Sequence, residues 1–234
     1  GGSIRQNKES LSVENADEVV LIADLRTDFV PGDMKEMTSS ALNGAEKKGF
    51  DTLKQEHEID FGRLFNRVAL SLGEGKNEIA TDERLKLLKE GNEDPDLIAL
   101  FFQYGRYLLI SASRENSPLP ANLQGIWNDN LACNMEWSCD YHLDINTQQN
   151  YWAANVCNLS DYIGTLAEAG TKTAKTVYGC EGWVAHTMAN VWGFTAPGWG
   201  TGWGLHPTGG AWLASHLWDY YRFTNDEVFL LRAY

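Results

Sequence analysis

Apolar and polar positions repeat with two different periods along this chain. Near the start, Leu11 to Val13 and Val19 to Leu25 read as two strands around a turn at Asn15-Ala16-Asp17. A lone hairpin is marginal in water, so the pair predicts partner strands outside these residues. From Lys35 onward the period is helical. Lys35 to Lys48 predicts a helix stopped by Gly49, and Asp51 caps a second in which Leu53, His57, Phe61, Leu64, Phe65 and Val68 follow helical spacing. Gly73 to Asn77 reads as a loop. Thr81, with Asp82 and Glu83 at the positive end, opens a third helix that ends at Gly91. Asp94-Pro95, an N-cap followed by proline at the first helical position, opens a fourth from Asp96 to about Ser111. That helix is apolar on most sides, which predicts burial among others.

Further helices are predicted for Ile145 to Val156, Ser160 to Val177, Gly210 to Arg222 and, capped by Thr224 or Asn225, Asp226 to Tyr234. Two long loops, Glu115 to Tyr141 and Gly179 to Thr208, separate them, and loops of such length in a compact domain tend to be functional. The pattern predicts a mainly α fold, a toroid of helical hairpins with a pocket at its mouth. Unpaired strands at the front and a helix that stops abruptly predict a piece of a longer polypeptide.

Chemistry concentrates in the second half. All nine tryptophans lie between Trp127 and Trp218, with four of the five histidines and all four cysteines. Flat rings beside His, Asp, Asn and Gln suit a neutral, hydroxyl-rich ligand such as a sugar. The net charge of -13 argues against nucleic acid and anionic membranes as partners, and no apolar run is long enough to span a bilayer. Cys133, Cys139, Cys157 and Cys180 form no C-x-x-C pair, so a zinc site is not predicted. A Cys133–Cys139 disulfide would fit an exported protein; buried thiols are the alternative. The glycines between Gly198 and Gly210 lack a following Gly-Lys-Ser/Thr, so they form no phosphate loop but let backbone pass close to ligand or rings.

Several long motifs, in order, resemble glycoside hydrolase family 95. They are Gly105-Arg106-Tyr107-Leu108-Leu109-Ile110-Ser111, Leu119-Pro120-Ala121-Asn122-Leu123-Gln124-Gly125-Ile126-Trp127-Asn128, and Asp140-Tyr141-His142-Leu143-Asp144-Ile145-Asn146. Gln149-Asn150-Tyr151-Trp152, Gly182-Trp183-Val184-Ala185-His186 and Gly209-Gly210-Ala211-Trp212-Leu213 continue the match. The resemblance implies an inverting α-L-fucosidase acting mostly on α-1,2-linked fucose, with some members preferring α-L-galactosides. A fucosylated oligosaccharide is then the partner and no cofactor or metal is expected. It also implies a plan in which residues 1–29 are the last strands of an N-terminal β-sandwich. Residues 30–94 would be helical linker and early helices, and residues 95–234 the first part of an (α/α)6 barrel. A periplasmic or secreted address fits better than the cytoplasm.

The family's His-x-Asn-x-Asn motif falls on His142, Asp144 and Asn146. In relatives the two asparagines hold and polarise the attacking water, so Asn146 and Asp144 are the catalytic candidates. Were this segment extended, its alternate residues would share one wall of a pocket. Asp144 departs from the family: a carboxylate only accepts hydrogen bonds, where an amide also donates. The family's general acid, in a Ser-Pro-Glu-Asn-like motif, and its base aspartate have no match here and are expected beyond Tyr234. This chain alone is therefore expected to be inactive.

His142, Trp127, Gln124, His186, Trp203 and His206 are the candidate substrate contacts. Each has a plainer reading. His142 is either a satisfied core histidine or, given the motif, a sugar contact. His186 divides evenly between pocket and packing, and His206 stands where relatives place tryptophan. Gln124 and Asn128 line a pocket or satisfy a loop, Glu136 and Asp140 read as solvated or capping acids, and His216 reads as structural. A non-catalytic carbohydrate-binding module and a helical scaffold with aromatic filling remain the alternatives.

Overall fold

The computed structural model describes residues 2–75, 78–117, 119–125, 127, 139–160, 184–192, 194, 197, 198 and 200–233. It divides into two compact units, Gly1–Gly62 and Arg63–Tyr234, and is mainly helical.

In the first unit, β1 (Ser3–Gln6) pairs antiparallel with β2 (Leu11–Glu14). The hairpin thus forms one strand earlier than expected. Its turn is made by Asn7, whose Oδ1 accepts from the backbone N–H groups of Glu9 and Ser10 at 2.9 and 2.7 Å. Asn15 does adopt positive φ, yet residues 19–25 form no strand. Every residue of β1 and β2 is exposed, and Leu21 and Leu25 are 81% and 95% exposed. The apolar run 19–25 therefore has no partner strand among the described residues. Next comes α1 (Met34–Lys48), which Asp33 caps and which stops, as predicted, at Gly49, here with φ 76°. Helix α2 (Phe50–Phe65) starts one residue before the proposed cap Asp51.

The second unit is built on α3 (Thr81–Lys89) and α4 (Pro95–Ala112). Asp94 caps α4 through Leu97 N–H at 3.0 Å, and both its oxygens also take hydrogen bonds from Arg84 at 2.9 and 2.8 Å. Arg84 and Asp94 are buried, so one carboxylate closes a helix start and neutralises a buried guanidinium. Arg106 of α4, also buried, donates to the carbonyls of Leu64, Phe65 and Val68, tying α4 to residues 64–68 of the same unit. Among the described residues α4 is buried mainly along the face of Ala99, Arg106, Leu109 and Ile110, with Leu97 buried in its first turn. Leu97, Ala99, Leu109 and Ile110 point inward, whereas Phe101 and Tyr104 are exposed, which corrects the expectation of burial on most sides.

Downstream, β3 (Tyr141–His142) pairs antiparallel with β4 (Met188–Ala189), a ribbon the hydrophobic pattern did not announce. Helix α5 (Asn146–Trp152) is shorter than predicted, and the predicted helix 160–177 lies almost wholly outside the described residues. A single turn, α6 (Thr201–Gly204), precedes α7 (Gly209–Thr224). Asn225 at φ 55° ends α7, and α8 (Glu227–Ala233) is capped by Asp226, which accepts from Phe229 N–H at 2.8 Å, rather than by Thr224 or Asn225. Among the described residues no helix is long and apolar enough to cross a membrane.

Candidate functional site

The β3–β4 ribbon gathers distant pieces of sequence around His142. Its ladder sets His142 opposite Met188, and Leu143 N–H donates to Thr187 O at 2.7 Å. Thr187 in turn donates through its backbone to Gly204 O and through its hydroxyl to Trp203 O, both at about 3.2–3.3 Å. Tyr141, Leu143 and Ala185 form a small apolar core beneath, with Ala189 and Leu213 against it. Gly204 is required here: a Cβ would collide with the backbone of Gly198. Glycine in this loop thus serves backbone contact, one of the roles expected of it.

At the centre, His142 is buried. Its Nδ1 lies 2.9 Å from Asp140 Oδ2 and 3.2 Å from Oδ1, and its Nε2 faces Asp144 Oδ1 at 3.6 Å. The last distance is an electrostatic contact, too long for a hydrogen bond. The Trp203 ring packs on the imidazole with centroids 5.5 Å apart. Asp140, read from sequence as a solvated or capping acid, is instead the closest charged partner of the histidine, with a side chain only 12% exposed.

The extended geometry assumed for His142, Asp144 and Asn146 does not occur. His142 is in a strand, residues 143–145 turn, and Asn146 begins α5. The turn, not strand alternation, brings Asp144 back to His142. Asn146 is half-buried, and its amide makes no hydrogen bond among the described residues. Asp144 Oδ1 is buried and likewise accepts no hydrogen bond there.

The other candidates fall into separate groups. Gln124 takes a hydrogen bond from the Cys139 thiol at 2.7 Å and, with Trp127 and Asn150, lines a cleft of about 270 Å³. Trp127 stacks near Tyr107 at 5.7 Å. His186 Nδ1 accepts from the backbone N–H of His206 at 3.2 Å, so these two histidines meet each other. Neither makes a hydrogen bond to His142 among the described residues. A larger cleft of about 740 Å³ runs beside Asp140 and Tyr141 and is walled by Asn122, Met188, Trp192 and Phe194. His142, Asp144 and Asn146 do not line it; the two residues before His142 do.

Burial shapes the chemistry around this wall. The Tyr141 phenol is pushed up to about 12, chiefly by burial and secondarily by Tyr151 nearby. Tyr151 is raised by burial too, against the lowering effect of hydrogen bonds with Ser113 Oγ at 2.8 Å and Ala121 N–H at 2.7 Å. Cys157 is a buried thiol, raised by desolvation. His216 Nδ1 is buried without a partner among the described residues, as its structural reading allows. Asn128, Cys133, Glu136, Cys180, Trp183 and Trp199 lie outside the described residues. No group of three or more potential metal ligands occurs among the described ones.

Residues 49–234 match the model of the glycosyl hydrolase family 95 catalytic domain. Alpha-L-fucosidase 2 of Arabidopsis thaliana is 40% identical over 254 aligned residues, covering 98% of this chain and 30% of that protein. Probable alpha-fucosidase A of Aspergillus niger is 37% identical, covering 82% of this chain and 25% of its own length. The protein of the same description from Aspergillus oryzae is also 37% identical, over 69% of this chain and 23% of its own. The chain thus spans less than a third of the relatives it matches, and it belongs to glycosyl hydrolase family 95.

Proposed function

We propose that this chain contributes the sugar- and water-holding wall of an inverting α-L-fucosidase that removes terminal α-1,2-linked fucose from glycans. The observation that carries the reading is His142 held between Asp140 and Asp144 under the Trp203 ring, at the family's His-x-Asn-x-Asn position. Asn146 and Asp144 position the attacking water. His142 and Trp203 hold the sugar. Gln124 and Trp127, at the smaller cleft, and the His186–His206 pair contact more distant parts of the glycan.

Inversion needs one carboxylic acid to protonate the leaving oxygen and one carboxylate to take a proton from water, roughly 6.5–9.5 Å apart. Asp140 is hydrogen-bonded to the histidine, and Asp144 is given to the water. The family resemblance puts the acid and base in sequence beyond these residues, so the isolated chain is expected to turn over no substrate. Protonation and water activation suffice for the reaction, so no metal or cofactor is invoked.

The test is hydrolysis of a 2'-fucosyllactose-type substrate by the full-length polypeptide, followed by NMR of the first-formed anomer. Release of β-L-fucose supports the proposal; no release, or the α anomer first, contradicts it. Asp144, an added acceptor where relatives carry an amide, favours a second reading on α-L-galactosides, whose extra hydroxyl offers a donor. Faster turnover of the galactoside than of the fucoside selects that reading.

A further inference from the structure

We propose that Asp140 is a positioning residue for His142, the carboxylate that fixes how the imidazole faces the sugar-holding wall; this rests on the fucosidase reading above. Pairing in β3 fixes the backbone of His142 but leaves its ring free to turn about the side-chain bonds. Asp140 removes that freedom. Its own backbone is anchored, since its carbonyl accepts from Leu123 N–H at 2.9 Å. Its two carboxylate oxygens then converge on Nδ1 at 2.9 and 3.2 Å.

A carboxylate has no proton to give, so Nδ1 carries the proton and donates it. The opposite edge, Nε2, is thereby the one turned towards Asp144, while Trp203 limits tilt of the ring. Rotating the imidazole by a half-turn would present a carbon to Asp140 and lose the bond. The side chains of both partners are nearly closed to solvent, 8% exposed for His142 and 12% for Asp140, so water competes little for the contact. Orienting carboxylates of this kind behind a working histidine are worth about 10- to 100-fold where they have been removed in metal sites.

The experiment is a double-mutant cycle in the full-length polypeptide, reading kcat/KM on an α-1,2-fucoside for Asp140→Ala, Asp140→Asn, His142→Gln and the pairs. Asp140→Ala is expected to lower kcat/KM by about 10- to 100-fold. Asp140→Asn, whose amide oxygen still accepts from Nδ1–H, recovers most of that loss. In the His142→Gln background either Asp140 change costs nothing further. An equal loss in both backgrounds, or wild-type kcat/KM for Asp140→Ala, overturns the proposal. If Asp140→Ala fails to fold, the proton on His142 Nδ1 decides the proposal. Histidine ¹⁵N spectra, assigned by the signal lost in His142→Gln, read the proton on Nδ1 whether or not the protein turns over. An unprotonated Nδ1 overturns the inference by itself. A protonated Nδ1 in a protein that releases no fucose sinks the fucosidase reading and leaves the orientation standing.

Discussion

Asp144 Oδ1 faces His142 Nε2 at 3.6 Å and accepts no hydrogen bond among the described residues. Asp140 and Asp144 thus flank one imidazole, Asp140 in hydrogen-bond contact and Asp144 held just short of it. Against the amide that the family resemblance implies at this position, a carboxylate keeps the same shape and changes the charge.

Asparagine has nearly the shape of aspartate and is the residue that the family resemblance implies here, so Asp144→Asn in the full-length polypeptide is expected to keep kcat/KM on an α-1,2-fucoside within about tenfold. Asp144→Ala removes the polar group and is expected to cost about 100-fold or more, the usual scale for losing a group that handles the reacting water. Steady-state kinetics on the two variants separates these outcomes. Equal, small effects would show that Asp144 stands away from the reaction.

The Arg84–Asp94 pair is buried and doubly hydrogen-bonded, and Asp96 adds a third contact at 2.9 Å. Removing one member leaves a buried charge without its partner. Arg84→Ala is expected to lower the melting temperature by roughly 5–10 °C. Lys86→Ala, which breaks an exposed pair with Glu83, is expected to change it little. Parallel thermal melts followed by circular dichroism check the contrast.

Tyr141 predicts loss of stability in alkali. Its folded pKa, near 12, lies above the unfolded value near 10, so the unfolded chain gives up this proton first. Its contribution is complete below pH 10 and is lost as pH rises from about 10 to 12, up to about 2 kcal/mol. Tyr151, raised in the same direction, adds to the loss. Urea unfolding at pH 8 and pH 11 reads the difference, and Tyr141→Phe is expected to reduce it. A steeper pH dependence in Tyr141→Phe would contradict this origin.

What the sequence made legible follows from the range of each interaction. Asp94-Pro95 and Gly49 punctuate helices through contacts within a few residues, and both stand where the pattern put them. The hairpin slipped because two asparagine turns were available and only the one at Asn7 has strands able to pair across it. The β3–β4 ribbon joins positions some 46 residues apart through two-residue strands, too short to show alternation. Asp140 was read as a solvated or capping acid for a related reason: its partner lies two residues away, but the contact depends on the ribbon that turns both side chains the same way. The motif's His142 and Asp144 do lie close together, 3.6 Å apart, but through a turn at residues 143–145 and not the extended conformation assumed for them. Burial of α4 was overestimated because its apolar residues go all round, whereas the described residues bury mainly one face.

The most direct measurement of the central claim is kcat for fucose release by the full-length polypeptide carrying Asn146→Ala. Asn146 opens α5 beside the His142–Asp144 turn, with an amide uncommitted among the described residues. Loss of an oriented polar group at the reacting centre is worth about 100- to 1,000-fold. The account predicts a fall of that size in kcat with the fold intact by circular dichroism. Wild-type kcat in a folded Asn146→Ala protein would contradict it.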